Sequence, residues 1–182
     1  MKRAMIASIV VMLAGCSPSP PTTAQREYQA MVSNAQTAAQ TFRSCSDAVY
    51  NSSQFAPIRV HYPESVVQAT PQQLADQDYA TGSEIKTILQ AHPQFAACRT
   101  DYLNQLSQPT PTLATMETAA FAQMQNKLIG LIQKKLTWGD FLRQLQDITH
   151  ETSRQYSAEA QRIAAGLEQS NEAELARLQA AA

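Results

Sequence analysis

Between residues 24 and 49, apolar side chains fall at Ala24, Tyr28, Met31, Ala35, Ala38, Phe42, Cys45 and Val49. The intervals alternate four and three without a break, so every one of these positions returns to the same face of an α-helix. The residues between them are mainly Gln, Asn, Ser, Thr and Arg. A strand needs a period of two, and no strand reading survives this pattern. The spacing predicts a helix from about Thr23 to Tyr50 whose apolar stripe must be covered by other helices.

Two more long stripes supply the cover. Leu113, Met116, Ala120, Met124, Leu128, Leu131 and Ile132 line one face of a helix running to about Leu136. A last helix starts near Trp138 with Phe141, Leu142, Leu145 and Ile148, then weakens through Thr152, Tyr156, Ala160, Ile163 and Leu167. Over about 168–182 the chain is rich in Ala, Glu and Gln, which reads as an extended or frayed helix. The fold class is all-α: a helical bundle of three long helices plus short ones. Abundant Ala and Gln and only five glycines agree with it.

Capping signals place the shorter elements. Thr70-Pro71-Gln72-Gln73 offers an N-cap threonine, a proline at the first helical position and a glutamine at the third, opening a short helix to about Asp78. Thr81-Gly82-Ser83-Glu84 repeats the logic and opens a helix with Ile85, Ile88 and Leu89. That helix is expected to stop at His92-Pro93, because proline removes a backbone donor, and Pro93 then opens another carrying Phe95, Cys98, Tyr102, Leu103 and Leu106. Gln108–Thr112 is a turn with a Thr-Pro helix start. Gly130 inside its helix suggests a close helix crossing. Thr137 is placed to cap the last helix with Asp140 in its first turn, so the helices on either side fold back as a hairpin.

Upstream of all this, Lys2 and Arg3 precede a run from Ala4 to Leu13 that is apolar but for Ser8, and Leu13-Ala14-Gly15-Cys16 follows. A basic start, a short apolar stretch and small residues at a cleavage point make a secretory signal, too short to span a bilayer. Leu-Ala-Gly-Cys resembles the lipobox of bacterial lipoprotein precursors. The resemblance covers only the first 16 residues. It implies cleavage after Gly15, a diacylglycerol thioether on Cys16, acylation of the new amine, and a bilayer as partner. Two or more chains anchor stably where one does not. Ser17 stands where an aspartate marks inner-membrane retention in enteric lipoproteins, so the resemblance points to the outer membrane, facing the periplasm. Residues 1–15 are thus the signal, 16–23 the lipidated cysteine and a proline-rich tether, and 24–182 a single helical periplasmic domain.

With Cys16 assigned to lipid, Cys45 and Cys98 remain, an even pair in a compartment that permits disulfides. Both fall on apolar stripes facing the interior. A bridge between them is the favoured reading, and two buried free thiols the alternative.

Removing the signal leaves 12 basic against 15 acidic side chains, and no Lys/Arg cluster follows a phosphate backbone, so no nucleic-acid partner is expected. No catalytic motif, metal-ligand spacing or phosphate-cradling glycine loop is present, and neither an enzyme nor a cofactor is expected. Two places stand out as candidate interaction sites. One is the segment between Pro57 and Pro63, where Ile58-Arg59-Val60-His61-Tyr62 alternates as a short extended stretch. It is either an arm presenting Arg59, His61 and Tyr62 or, the favoured reading, a loop lying over the bundle. The other is Trp138, a stacking ring for a ligand or, the favoured reading, a plug at the hairpin corner. Asp76 and Asp78 read as solvated acids. The functional expectation is a non-enzymatic interaction or scaffold protein of the bacterial envelope, touching an envelope protein partner through residues 55–63 and the helix beyond Tyr156. The alternative is a small-ligand binder with a bundle-core pocket near Trp138.

Overall fold

Threonine precedes every helix in the computed structural model, which describes residues 22–181. The helices are α1 (Thr23–Asn51), α2 (Pro71–Leu74), α3 (Gly82–Ser107), α4 (Pro111–Ile132) and α5 (Trp138–Ala181). Thr22, Thr70 and Thr81 each close a reciprocal capping box, with Gln25, Gln73 and Glu84 respectively. At α5 the Thr137 hydroxyl accepts the Asp140 amide at 3.2 Å and donates to its carboxylate at 2.9 Å. Each cap satisfies amides that a helix start leaves without partners. The signal sequence, Cys16 and most of the tether lie outside the described residues.

The four long helices run up and down. Helix α1 packs against α3, α3 against α4 and α4 against α5, while α1 and α5 touch only slightly. The resulting all-α bundle contains no strand among the described residues. Near its middle, Phe42 stacks on Tyr102 at 5.0 Å and meets Phe121 edge-on at 5.7 Å. One turn further along, the sulfurs of Cys45 and Cys98 lie at disulfide bonding distance, with their Cα atoms 5.7 Å apart. Beyond them the core continues through Val49, Phe55, Ile88, Leu131 and Leu145 to Trp138 and Phe141.

Several sequence expectations are corrected. Pro93 does not divide α3, which makes four long helices rather than three. Pro93 is exposed, so the Leu89 carbonyl it leaves unbonded faces outward, while Ile88, Ala91 and Cys98 on the opposite side are buried and hold the axis together. Leu89 is itself exposed rather than on the buried face. Helix α2 ends at Leu74 rather than near Asp78. The 58–62 segment is no strand: Ala56–Ile58 is a 3-10 turn in which Phe55 and Ile58 turn inward, while Val60 points out, so the alternation marks no buried face. Helix α4 stops at Ile132 in a Schellman turn, with Lys135 N–H bonded to Gly130 O and Lys134 N–H to Leu131 O. Lys134 takes φ 56°, the position glycine usually fills. Gly130 is explained by its own turn and not by a helix crossing, because a Cβ there would stand 3.0 Å from Leu136 Cδ1.

Candidate functional site

The residues singled out between Pro57 and Pro63 do not project. Arg59 donates from Nε to Tyr50 O at 2.9 Å and from its terminal nitrogen to Ser52 O at 2.5 Å, with its guanidinium 5.6 Å from the Tyr50 ring. It therefore caps the carboxyl end of α1, where a cation suits the free carbonyls and the helix dipole. The Tyr62 ring packs between Phe55 and Phe141, each at 6.2 Å, and its backbone carbonyl accepts from the Tyr50 hydroxyl. Burial, with the nearby Tyr50 hydroxyl adding to it, pushes the Tyr62 phenol up to about 12. The loop lies over the bundle.

His61 and Trp138, 77 positions apart in sequence, stack with ring centroids 5.0 Å apart and planes 4° from parallel. His61 Nδ1 lies 2.6 Å from Asp76 Oδ2, and Nε2 lies 3.1 Å from Glu84 Oε1. Both ring nitrogens thus face carboxylate oxygens, an arrangement in which an imidazolium can donate from each. Asp76 is accordingly a structural acid and not a solvated one. Its second oxygen accepts the Asp78 amide at 2.8 Å. Its own carbonyl accepts Gly139 N–H, and the Asp78 carbonyl accepts Trp138 N–H, both at 2.9 Å. The loop after α2 therefore seals the first turn of α5. Trp138 is 1% exposed and plugs the hairpin corner. This end of the bundle is filled by rings and a charge cluster.

An open space lies on the other side of the Phe42–Tyr102–Phe121 layer. Where α1 and α5 pass the α3–α4 corner they part, leaving a groove of about 550 Å³. Its walls are Tyr28, Met31, Val32, Ala35, Gln36 and Ala39 of α1 and Tyr156, Glu159, Ala160 and Ile163 of α5, with Tyr102, Leu106, Thr110 and Leu113 beneath. The polar groups of the wall are held in place. Glu117 accepts from the Tyr102 hydroxyl at 3.1 Å and from the Tyr156 hydroxyl in a short hydrogen bond. Burial, then the Glu117 carboxylate, pushes the Tyr102 phenol up to about 12 and raises Tyr156 further. Glu159, buried, receives Arg162 on both oxygens at 2.7 and 2.6 Å, and that guanidinium holds its carboxyl below the usual range. The Thr110 hydroxyl donates to Leu106 O at 3.1 Å, and apart from the exposed Gln36 the remaining surface of the groove is hydrocarbon. At the end of α1, the Thr22 hydroxyl donates to Asn171 Oδ1 at 3.0 Å and ties the two helices together again.

Sequence reasoning missed the groove and the pairing of His61 with Asp76 and Glu84. Glu84 was visible only as a capping residue, and the Glu117–Tyr102–Tyr156 set joins three helices with no local motif. The one available signal was the weakening of the α5 stripe after Ile148, where Glu159 takes a buried place in the pattern. Among the described residues no helix is long and apolar enough to cross a membrane, and no cluster of His, Cys, Asp and Glu is arranged to hold a metal ion. The fold and its groove define an all-helical four-helix bundle open along one seam. No known protein family matches this chain, nor does any curated protein or solved structure.

Proposed function

We propose that this protein is a lipid-anchored, non-enzymatic interaction or scaffold protein of the bacterial envelope, held through acylated Cys16 at the outer membrane with its helical body in the periplasm. The lipobox resemblance of Leu13–Cys16 supports the anchor. The observation that carries the interaction reading is the length of α5. Its 44 residues reach about 66 Å, and from Ala164 to Glu174 only Leu167 and Asn171 are even half-buried. A helix stretch that buries so little costs order without building a core, and contact with an envelope protein would recover that cost. A photo-crosslinking residue at Ala165 or Gln169, in cells, is expected to capture a discrete envelope protein that the same residue at Gln123 on α4 does not. No adduct specific to α5 would overturn the reading. Loss of the protein from the membrane fraction on Cys16→Ala checks the anchor.

A second reading, a small apolar ligand bound within the bundle, is favoured by the hydrocarbon-lined groove between α1 and α5.

A further inference from the structure

The groove is open along the seam between α1 and α5 and has a volume of about 550 Å³. The wall suits a hydrocarbon occupant: Met31, Val32, Ala35, Leu113 and Ile163 contribute apolar surface, while the carboxylate of Glu159 is taken by Arg162 and the Tyr102 and Tyr156 hydroxyls by Glu117. The groove also lies at the tethered end of the molecule. Tyr28, on its wall, is six residues into the chain from Thr22, about 9 Å along the helix. Cys16 is six residues before Thr22, a reach of about 20 Å at full extension. A chain attached to Cys16 is therefore confined to the neighbourhood of the groove, at an effective concentration in the millimolar range.

We propose that the groove between α1 and α5 seats one of the acyl chains carried by Cys16 of the same molecule. The inference rests on the acylation of Cys16 given above and deepens the apolar-ligand reading; it does not depend on the partner contact of the α5 extension. A seated chain replaces water against the groove wall and leaves the remaining chain or chains to hold the bilayer. Fewer chains in the bilayer means weaker anchoring, at about 0.8 kcal/mol per buried methylene. The groove thereby sets how firmly the protein is held.

The test uses full-length lipidated protein, its acylation established by intact mass, in vesicles of phosphatidylethanolamine and phosphatidylglycerol. p-Benzoylphenylalanine is placed at Ala160 or, from the opposite wall, at Ala39, both exposed positions that tolerate a larger side chain. After irradiation and trypsin, the expected product is the acylated Cys16–Arg26 peptide joined through its hydrocarbon to the peptide carrying the probe. It should be at least roughly tenfold more abundant than from a probe at Gln123, as the tether-enhanced local concentration requires. Joining to vesicle phospholipid instead would overturn the assignment to the molecule's own chain, and absence of any lipid adduct from both walls would overturn the proposal. An unmodified Cys16 in the intact mass would overturn this inference together with the anchor, whereas the crosslinks sought from Ala165 fail or succeed separately.

Discussion

Gly139 is the position where the structure and simple helix propensity give opposite predictions. A Cβ there would stand 2.5 Å from Leu74 O and 2.6 Å from Asp76 O, both backbone atoms. Ordinary contact begins near 3.4 Å, so in Gly139→Ala the loop after α2 must retreat by about 0.9 Å. The bond from Gly139 N–H to Asp76 O, now 2.9 Å, then opens to about 3.8 Å, beyond hydrogen-bonding range, and the neighbouring bond from Trp138 N–H to Asp78 O loosens with it. Both donors sit on buried residues, and each amide left unpaired costs about 1–3 kcal/mol. Alanine returns about 1 kcal/mol of helix propensity. The net loss is about 2–3 kcal/mol, a fall in Tm of roughly 5–10 °C for a chain of this size. Thermal melting by circular dichroism reads it directly. Gly166→Ala is the control, because nothing lies within 4 Å of its added Cβ, and it should gain up to about 1 kcal/mol. If Gly139→Ala melts at or above the parent, the docking of the α2 loop onto α5 is wrong.

His61→Ala removes both carboxylate contacts and the ring stacked on Trp138, and should cost about 3 kcal/mol in urea unfolding; an unchanged midpoint would refute the cluster's structural role. Reduction of Cys45–Cys98, 53 positions apart, should lower stability by about 4 kcal/mol on the chain-entropy account, seen as an earlier urea midpoint in the presence of phosphine. Tyr62 and Tyr102 are held protonated up to about 12 in the fold, against an ordinary value near 10. Their contribution to stability is fully present below pH 10 and is lost as pH rises through about 12. Phenolate absorbance of the folded protein should therefore lag behind that of the urea-unfolded chain across this window, and coincident titrations would refute the burial of these phenols.

The parts of the fold that could be read from sequence are those set by contacts within a turn or two. The four–three stripe of α1, the threonine caps and the inward placement of Cys45 and Cys98 all depend on neighbours in the chain. The stop expected at Pro93 failed for a different reason: proline's penalty is local, but what decides the helix is burial on both sides of it and an outward-facing position. The 58–62 segment failed likewise, since a period of two over five residues is too short to set a strand apart from a turn, and Val60 within it is exposed. The candidate site was less legible still. Trp138 was foreseen as a plug, yet its partner His61, and the acids flanking that histidine, come from three other segments. The groove exists because α1 and α5 scarcely touch, a property of the whole bundle that no single stripe records.

The covalent link between α1 and α3 has a consequence for how the molecule survives damage. Any cut between residues 46 and 97 falls inside the closed loop, which includes the 3-10 turns at Ala56–Ile58 and Val66–Gln68 and helix α2. A protease nicking that loop would release no fragment: the two pieces would migrate together until a reductant separated them. The amino-terminal piece, carrying α1 and whatever is attached ahead of it, would still hold α3, α4 and α5 in place.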